Sequence, residues 1–187
     1  MPIDPARKAA LEALTAALAR KAGLEAALEG RAFAELGPQD RGFARALVMA
    51  ALRNLGPIDR ALAACLQRDP PEAVRMILRL GAAQLFNLDT PAYAAVDCSV
   101  ALAQAAPATR GFKALVNAVL RRLGRERERT SAPADFAPPW LYARWRAAYG
   151  EAGANGIAAA IATEPPADLT PRDAADAAAL AEVLEAT

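Results

Sequence analysis

Hydrophobic residues recur every three to four positions along most of the chain, which is the spacing of one face of an α-helix. Leu11, Leu14 and Leu18 show this spacing near the N-terminus, with charged residues between them. Glycine and proline residues interrupt the pattern at intervals typical of short turns between packed helices. The predicted helices cover residues 5–29 (divided at Gly23), 39–55, 58–67, 91–105 and 109–123. One more helix is predicted to begin at residues 69–72.

Two of these helices have recognisable start signals. Asp69-Pro70-Pro71-Glu72 combines an N-cap aspartate, an early proline and a glutamate placed for a capping box. The helix that follows is expected to bury its aliphatic residues and to turn Arg75 and Arg79 toward solvent. Thr90-Pro91 repeats the start signal, whereas Gly56-Pro57 is expected to end one helix and begin the next. Since no segment convincingly indicates a strand, we predict an all-α, antiparallel helical domain.

A change of composition near residue 130 predicts a boundary. Residues 125–139 are charged and then rich in serine, proline and alanine, as in a linker. The remaining short helices and a strand-like segment at 168–170 are hard to close into a separate core. We therefore expect the chain to be cut from a longer protein. The predicted division is a helical domain over residues 1–129, followed by a linker and a partial small α/β subdomain over residues 130–187.

Composition supports this fold class and excludes several kinds of site. Alanine, the best helix former, supplies 52 of the 187 residues, and aromatic residues only 5%. The chain has no histidine, which excludes Ser–His and Cys–His nucleophile pairs and histidine-containing zinc sites. Its two cysteines, Cys65 and Cys98, are expected to be small buried thiols, and we expect no metal. No apolar run reaches the roughly 18 residues of a membrane span, so we expect a cytoplasmic protein.

The formal net charge of +1 conceals two unlike parts. Residues 1–130 carry 19 Lys/Arg and 13 Asp/Glu, whereas residues 131–187 carry 3 and 8. In the predicted helix 109–123, six apolar residues from Phe112 to Leu123 form an unbroken buried stripe. Away from that stripe lies a row of polar and basic residues, which Arg122 extends: Arg110, Lys113, Asn117 and Arg121.

A row of donors at this spacing could follow a nucleic-acid backbone, because Lys and Arg neutralise phosphates. It could equally be a solvated face whose last arginines lie favourably at the negative end of the helix. Arg7 and Lys8 could add to a nucleic-acid surface. Farther along, the glycines between Gly150 and Gly156 are expected to form a turn between two helices, since no strand precedes them. Trp140 and Trp145 are expected to be packing anchors.

Three linked segments of the helical part resemble the NusB-like RNA-binding domain. They are QDRGFARALVMAALRNLGPIDRALAACLQR at 39–68, VRMILRLGAAQLFNLDTP at 74–91 and GFKALVNAVLRRL at 111–123. The resemblance implies an all-α fold of two packed helical subdomains. That domain occurs in a free-standing transcription antitermination factor and in the N-terminal part of RsmB/NOP-type rRNA (cytosine-5) methyltransferases. Residues 138–172 resemble the segment that follows the domain in the methyltransferases.

The resemblance implies an RNA-engaging region that positions small-subunit rRNA for a catalytic domain missing from this chain. It implies S-adenosylmethionine for the full-length family. From the residues themselves we expect no cofactor site or catalytic residue in this chain, and we expect a monomer. By resemblance, an RNA-facing side includes the N-terminal cations and the basic helix. Family members usually have His and Asn where Tyr93 and Asp97 stand, and Pro171 interrupts an expected strand. The alternatives are an antitermination-type RNA- and protein-binding module and a helical scaffold without RNA. The implied RNA-binding residues are Arg7, Lys8, Arg110, Lys113, Asn117, Arg121 and Arg122.

Overall fold

The computed structural model describes residues 3–19, 23–88, 90–126, 131–165 and 170–183. Over these ranges the chain forms α-helices and two short 3-10 turns, and no strand, which confirms the predicted all-α class. The strand-like segment at 168–170 falls almost wholly outside the described residues, so the partial α/β subdomain stays a prediction. The helices are α1 Pro5–Leu18, α2 Leu24–Leu28, α3 Arg31–Ala34, α4 Pro38–Arg53, α5 Leu55–Cys65, α6 Glu72–Asn87, α7 Ala92–Ala105, α8 Pro107–Arg110, α9 Lys113–Arg125, α10 Pro139–Ala162 and α11 Ala177–Val183.

Helix α6 lies at the centre of the helical part. It packs against α1 and α4 on one side and against α7, α9 and α5 elsewhere, so its residues are buried nearly all round. Gly81 of α6 lets α9 and α7 pack closely against its backbone, because glycine has no side chain to hold them away. A β-carbon there would lie 2.5 Å from Leu120 Cδ1 on α9 and 2.7 Å from Ser99 Oγ on α7. The three helices α6, α7 and α9 therefore meet at Gly81.

Two predictions about α6 were wrong. Pro71, in an extended conformation, precedes the first helical residue, so Asp69 lies too far upstream to cap the helix. Asp69 instead forms an ion pair with Arg75, with 2.7 Å between Asp69 Oδ1 and Arg75 Nη2. Arg75 and Arg79 are also largely buried, with 19% and 12% of their side chains exposed. The Arg79 guanidinium donates two hydrogen bonds of 2.8 Å to the Asp59 carboxylate of α5. The spacing of residues within α6 could not reveal that partner.

The break between α4 and α5 lies at Asn54, two residues before the predicted Gly56-Pro57. Asn54 leaves helical geometry with φ −106° and ψ 21°, and its side-chain amide donates to the carbonyl of Ala50 at 2.9 Å. Gly56 has a different role. A β-carbon at Gly56 would overlap the main-chain oxygen of Asp135, so this glycine lets a later part of the chain approach α5.

Part of the predicted linker is packed against the helical part. Pro133–Phe136 forms a 3-10 turn that contacts α5 and α10. Asp135 in this turn has only 2% of its side chain exposed. Its carboxylate pairs with Arg60 of α5 and accepts the main-chain N–H of Ala132 at 2.9 Å. Residues 131–137 are therefore held to α5 by a buried charge as well as by shape.

Helix α10 is interrupted at Gly150, as the glycine-containing turn predicted. Gly150 has φ +73° and ψ 178°, a conformation that is open almost only to glycine. The Tyr142 hydroxyl bonds Asn155 Oδ1 at 2.5 Å and Glu151 Oε1 at 3.2 Å across the break. The expected role of Trp140 as a packing anchor was wrong, because 67% of it is exposed, whereas Trp145 is half-buried.

Candidate nucleic-acid interface

The basic segment forms two helices rather than the single predicted one. Helix α8 ends at Arg110, and α9 begins at Lys113 after a turn at Gly111-Phe112. Buried Thr109 stabilises the short helix, since its hydroxyl donates to the carbonyl of Ala103 at 2.7 Å. Arg110 therefore does not belong to the regular row along α9. Its guanidinium instead bonds the main-chain oxygen of Gln104, in the last turn of α7, at 3.2 Å.

The apolar stripe of α9 is buried as predicted. Val116, Val119, Leu120 and Leu123 are each no more than 4% exposed and pack toward α6 and α7. Phe112 and Leu115 lie at the edge of this core and are half-buried. The burial of this stripe orients the opposite side of α9 toward solvent.

Lys113, Asn117 and Arg121 lie on that solvent side, one turn apart. Two intervals of four residues extend about 12 Å along the axis at 1.5 Å per residue. Lys113 and Arg121 are exposed and Asn117 is half-buried. Arg121 Nε donates to Asn117 Oδ1 at 3.0 Å, which orients the guanidinium without neutralising it. The structure therefore brings these three predicted residues together on one surface.

Arg122 differs from its neighbour because it has an acidic partner. Its Nε donates to Glu126 Oε1 at 3.0 Å, and this hydrogen bond chiefly raises the pKa of the Arg122 guanidinium above its ordinary value. About half of the Arg122 side chain is exposed. Its charge is partly balanced within the protein, so it is less available to a phosphate than the charge of Arg121.

The two N-terminal cations have unlike environments. Arg7 is only 13% exposed, and its Nε donates to Oε1 of the fully buried Gln84 at 2.6 Å. Its guanidinium also bonds Asp4 at 2.8 Å and lies 4.7 Å from the centre of the Phe43 ring. Lys8 is 60% exposed, with Glu12 at 3.7 Å. These contacts favour a structural role for Arg7 and leave Lys8 open to solvent.

An open groove connects the start of α1 with α7. Its lining includes Ile3, one residue before the N-cap of α1, and Gln104 near the end of α7. Because Arg110 bonds the Gln104 carbonyl, the start of α1 and Arg110 both lie beside the C-terminal half of α7. Sequence patterns did not identify this groove. The period of α7 places Asp97 and Gln104 on its outer face, but the contribution of Ile3 arises only from tertiary packing.

No helix in the described ranges is long and apolar enough to cross a membrane. Within the same ranges, no three His, Cys, Asp or Glu residues are grouped as metal ligands would be. Of the two thiols, Cys98 is buried as expected and Cys65 is half-buried.

Two relatives are ribosomal RNA small subunit methyltransferases B. The protein from Thermus thermophilus is 40% identical over 116 residues, which are 60% of this chain and 28% of the relative. The protein from Xanthomonas campestris pv. campestris is 38% identical over 136 residues, 70% of this chain and 30% of the relative. This chain thus spans less than a third of the length of either relative.

A solved structure of T. maritima NusB has the same fold, with a TM-score of 0.58 and 24% identity. The likeness covers 68% of this chain and 94% of that one. The model of the NusB family matches residues 4–125, from the N-cap of α1 to the last residue of α9. This range is well over half of the chain and contains α1, α4, α5, α7 and α9, which pack around α6. The chain belongs to the NusB family.

Proposed function

We propose that this chain is the RNA-binding N-terminal region of an S-adenosylmethionine-dependent small-subunit rRNA (cytosine-5) methyltransferase. The region positions rRNA for a catalytic domain that these residues do not contain, in the cytoplasm and as a monomer. The observation that carries the proposal is the solvent side of α9, where Lys113 and Arg121 have no acidic partner among the described residues. Two relatives named as rRNA methyltransferases, each matched over less than a third of its length, supply the reaction class.

The glycines of the described ranges do not form a nucleotide-binding loop. A nucleotide-binding loop follows a strand and opens a helix, and the described ranges contain no strand. The glycine-containing segment at Gly150 is a turn inside α10, closed by the bond between Tyr142 and Asn155. We therefore assign no catalytic step to this chain and place S-adenosylmethionine in the proposed catalytic domain.

The proposed RNA-facing surface combines α9 with its neighbours. Lys113, Asn117 and Arg121 form its regular part, with exposed donors over about 12 Å. Arg110 lies beside the groove at α7, and exposed Lys8 on α1 is the N-terminal cation of the proposed surface. Largely buried Arg7 supports this surface from within, whereas exposed Arg122 lies on it with its charge engaged by Glu126.

Fluorescence anisotropy of a labelled single-stranded fragment of small-subunit rRNA tests the proposal. The dissociation constant should rise steeply with salt, by a log–log slope of about −0.7 in affinity for each phosphate neutralised on a single strand. The double variant Lys113→Glu with Arg121→Glu should bind at least about tenfold more weakly, because two contacts become repulsions. The matched control is Arg144→Glu with Arg146→Glu, which changes the charge equally at two exposed arginines of α10.

The two variants separate a local site from a general effect of charge. Binding that is unaffected in the control and weakened in the α9 variant supports the surface. An equal loss in both variants would show that only net charge matters. Affinity that hardly changes with salt, or unchanged affinity in the α9 variant, would overturn the assignment.

A second candidate is an antitermination-type module that binds RNA and protein without enzymatic activity. The match to T. maritima NusB favours it, because nearly the whole of that chain is covered. The packed turn at Pro133–Phe136 and helix α10 lie beyond the matched family range and favour the first candidate. Tight binding of an antitermination element together with a ribosomal protein, and no preference for rRNA, would favour the second.

A further inference from the structure

The groove beside α7 differs chemically from the basic solvent side of α9. Ile3, Val100, Ala101 and Ala105 give it an apolar lining, and Asp97 and Gln104 give it polar groups. Ile3 is 37% exposed, which is high for a large aliphatic side chain. The groove thus offers a partly apolar surface to solvent, with polar groups on the same helix.

Asp97 and Gln104 are available to an incoming ligand. Both are exposed, and their side chains make no hydrogen bond or ion pair within the described part of the chain. They are seven residues apart on α7, which is about two turns, so they lie on the same face. The main-chain oxygen of Gln104 is occupied by Arg110, but its side-chain amide is not.

The cation beside the groove suits a phosphate, while the groove itself does not. Arg110 lies at the Gln104 end, where its guanidinium bonds the Gln104 main-chain oxygen. The Asp97 carboxylate inside the groove would repel a phosphate. A ligand that satisfies both features has an anionic backbone and a neutral, flat, partly apolar group that can donate a hydrogen bond. An unpaired nucleobase of single-stranded RNA fits this description.

We infer that the α7 groove holds an unpaired nucleobase with an exocyclic amine, which donates to the Asp97 carboxylate. Cytosine and adenine present such an amine, whereas uracil presents a carbonyl oxygen at the corresponding position. The carboxylate accepts a hydrogen bond from the cytosine amine but would face the uracil carbonyl oxygen at that position, so it favours cytosine over uracil. The inference rests on the proposed RNA-binding function and deepens it, since it assigns base preference to a residue outside the basic row of α9.

Binding of labelled C10 and U10 oligoribonucleotides by anisotropy, at one low salt concentration, tests this inference. The full chain should bind C10 at least about tenfold more tightly than U10, the effect of one hydrogen bond to a charged acceptor. Asp97→Ala should reduce the ratio to near one. It should also tighten the binding of U10, because a negative charge is lost. Asp40→Ala, at an exposed aspartate on α4 outside the groove lining, is the matched control and should keep the ratio.

The ratio of the two affinities distinguishes this inference from the proposed function. Salt-dependent binding with a C10-to-U10 ratio of one would overturn the groove inference and leave the proposed function intact. A preference for C10 that persists in Asp97→Ala would also overturn it. No binding of either oligonucleotide would overturn both. Circular dichroism melting of each variant checks that the fold is retained.

Discussion

Replacement of Arg7 by alanine should destabilise the fold rather than remove an RNA contact alone. The Arg7 guanidinium joins three elements: it bonds Asp4 before α1 and Gln84 on α6, and it lies over the ring of Phe43 on α4. With 87% of its side chain out of solvent contact, little of this is screened. Arg7 therefore holds α1 against α4 and α6, two of the helices on which it packs.

The magnitude follows from these contacts. Loss of the Nε donor leaves Oε1 of fully buried Gln84 without its partner, which costs about 1–3 kcal/mol. The cation–π contact adds about 1 kcal/mol, and the ion pair with Asp4, whose side chain is 34% exposed, adds less. A total near 3 kcal/mol lowers the melting temperature by about 10 °C in a chain of this size.

Urea denaturation followed by circular dichroism at 222 nm measures this loss for Arg7→Ala. Lys8→Ala is the matched control, since it removes an adjacent cation that is 60% exposed, and should change stability by less than about 0.5 kcal/mol. The reasoning would be refuted by an Arg7→Ala variant as stable as the wild type. If such a variant also lost affinity for RNA, Arg7 would be a direct contact after all.

Three further predictions concern the segment after α9. Arg60→Ala should destabilise the packing of residues 131–137 more than Asp135→Ala does. The first variant leaves the buried Asp135 carboxylate unpaired, whereas the second leaves only exposed Arg60, which water readily hydrates. Hydrogen exchange of the amides in this segment measures the difference, and equal protection in both variants would contradict the prediction. Gly150→Ala should cost about 1–3 kcal/mol through its φ of +73°, whereas Gly156→Ala should not destabilise, as measured by thermal melting. Partial burial chiefly raises the pKa of Tyr142, aided by its bond to Glu151. The stability from its protonated hydroxyl is thus fully present below the ordinary pKa near 10 and is lost as pH rises through the folded pKa. Absorbance titration at 295 nm should show a tyrosine ionisation above pH 10 in the wild type that is missing from Tyr142→Phe.

Local patterns were sufficient for most helices. The apolar stripe of α9, the division at Gly23 and the break at Gly150 all follow from residue spacing and from the conformations that glycine permits. The solvent side of α9 was predictable for the same reason, because a buried stripe determines which residues face outward. Lys113, Asn117 and Arg121 are placed on that side as the spacing predicted.

Contacts between distant segments account for the errors. The Arg79 side chain is largely buried because its guanidinium donates two hydrogen bonds to Asp59 on another helix, and the residue spacing within α6 does not indicate that partner. Arg7 similarly finds Gln84, 77 residues away along the chain. The groove beside α7 depends on Ile3 in the same way. Such pairings are set by the packing of whole helices, which a pattern within one helix does not record.

The contact between Gly56 and Asp135 has a consequence for how this region can be transplanted. The matched family range ends at residue 125, yet the surface of α5 around Gly56 and Arg60 is completed only by residues 131–137. A fragment that stops at 125 would expose this surface to water and leave Arg60 without its buried partner. The helical domain and the turn that follows it therefore form one packed unit, and a chimaera that joins this helical domain to another protein must keep the turn on the domain's side of the junction.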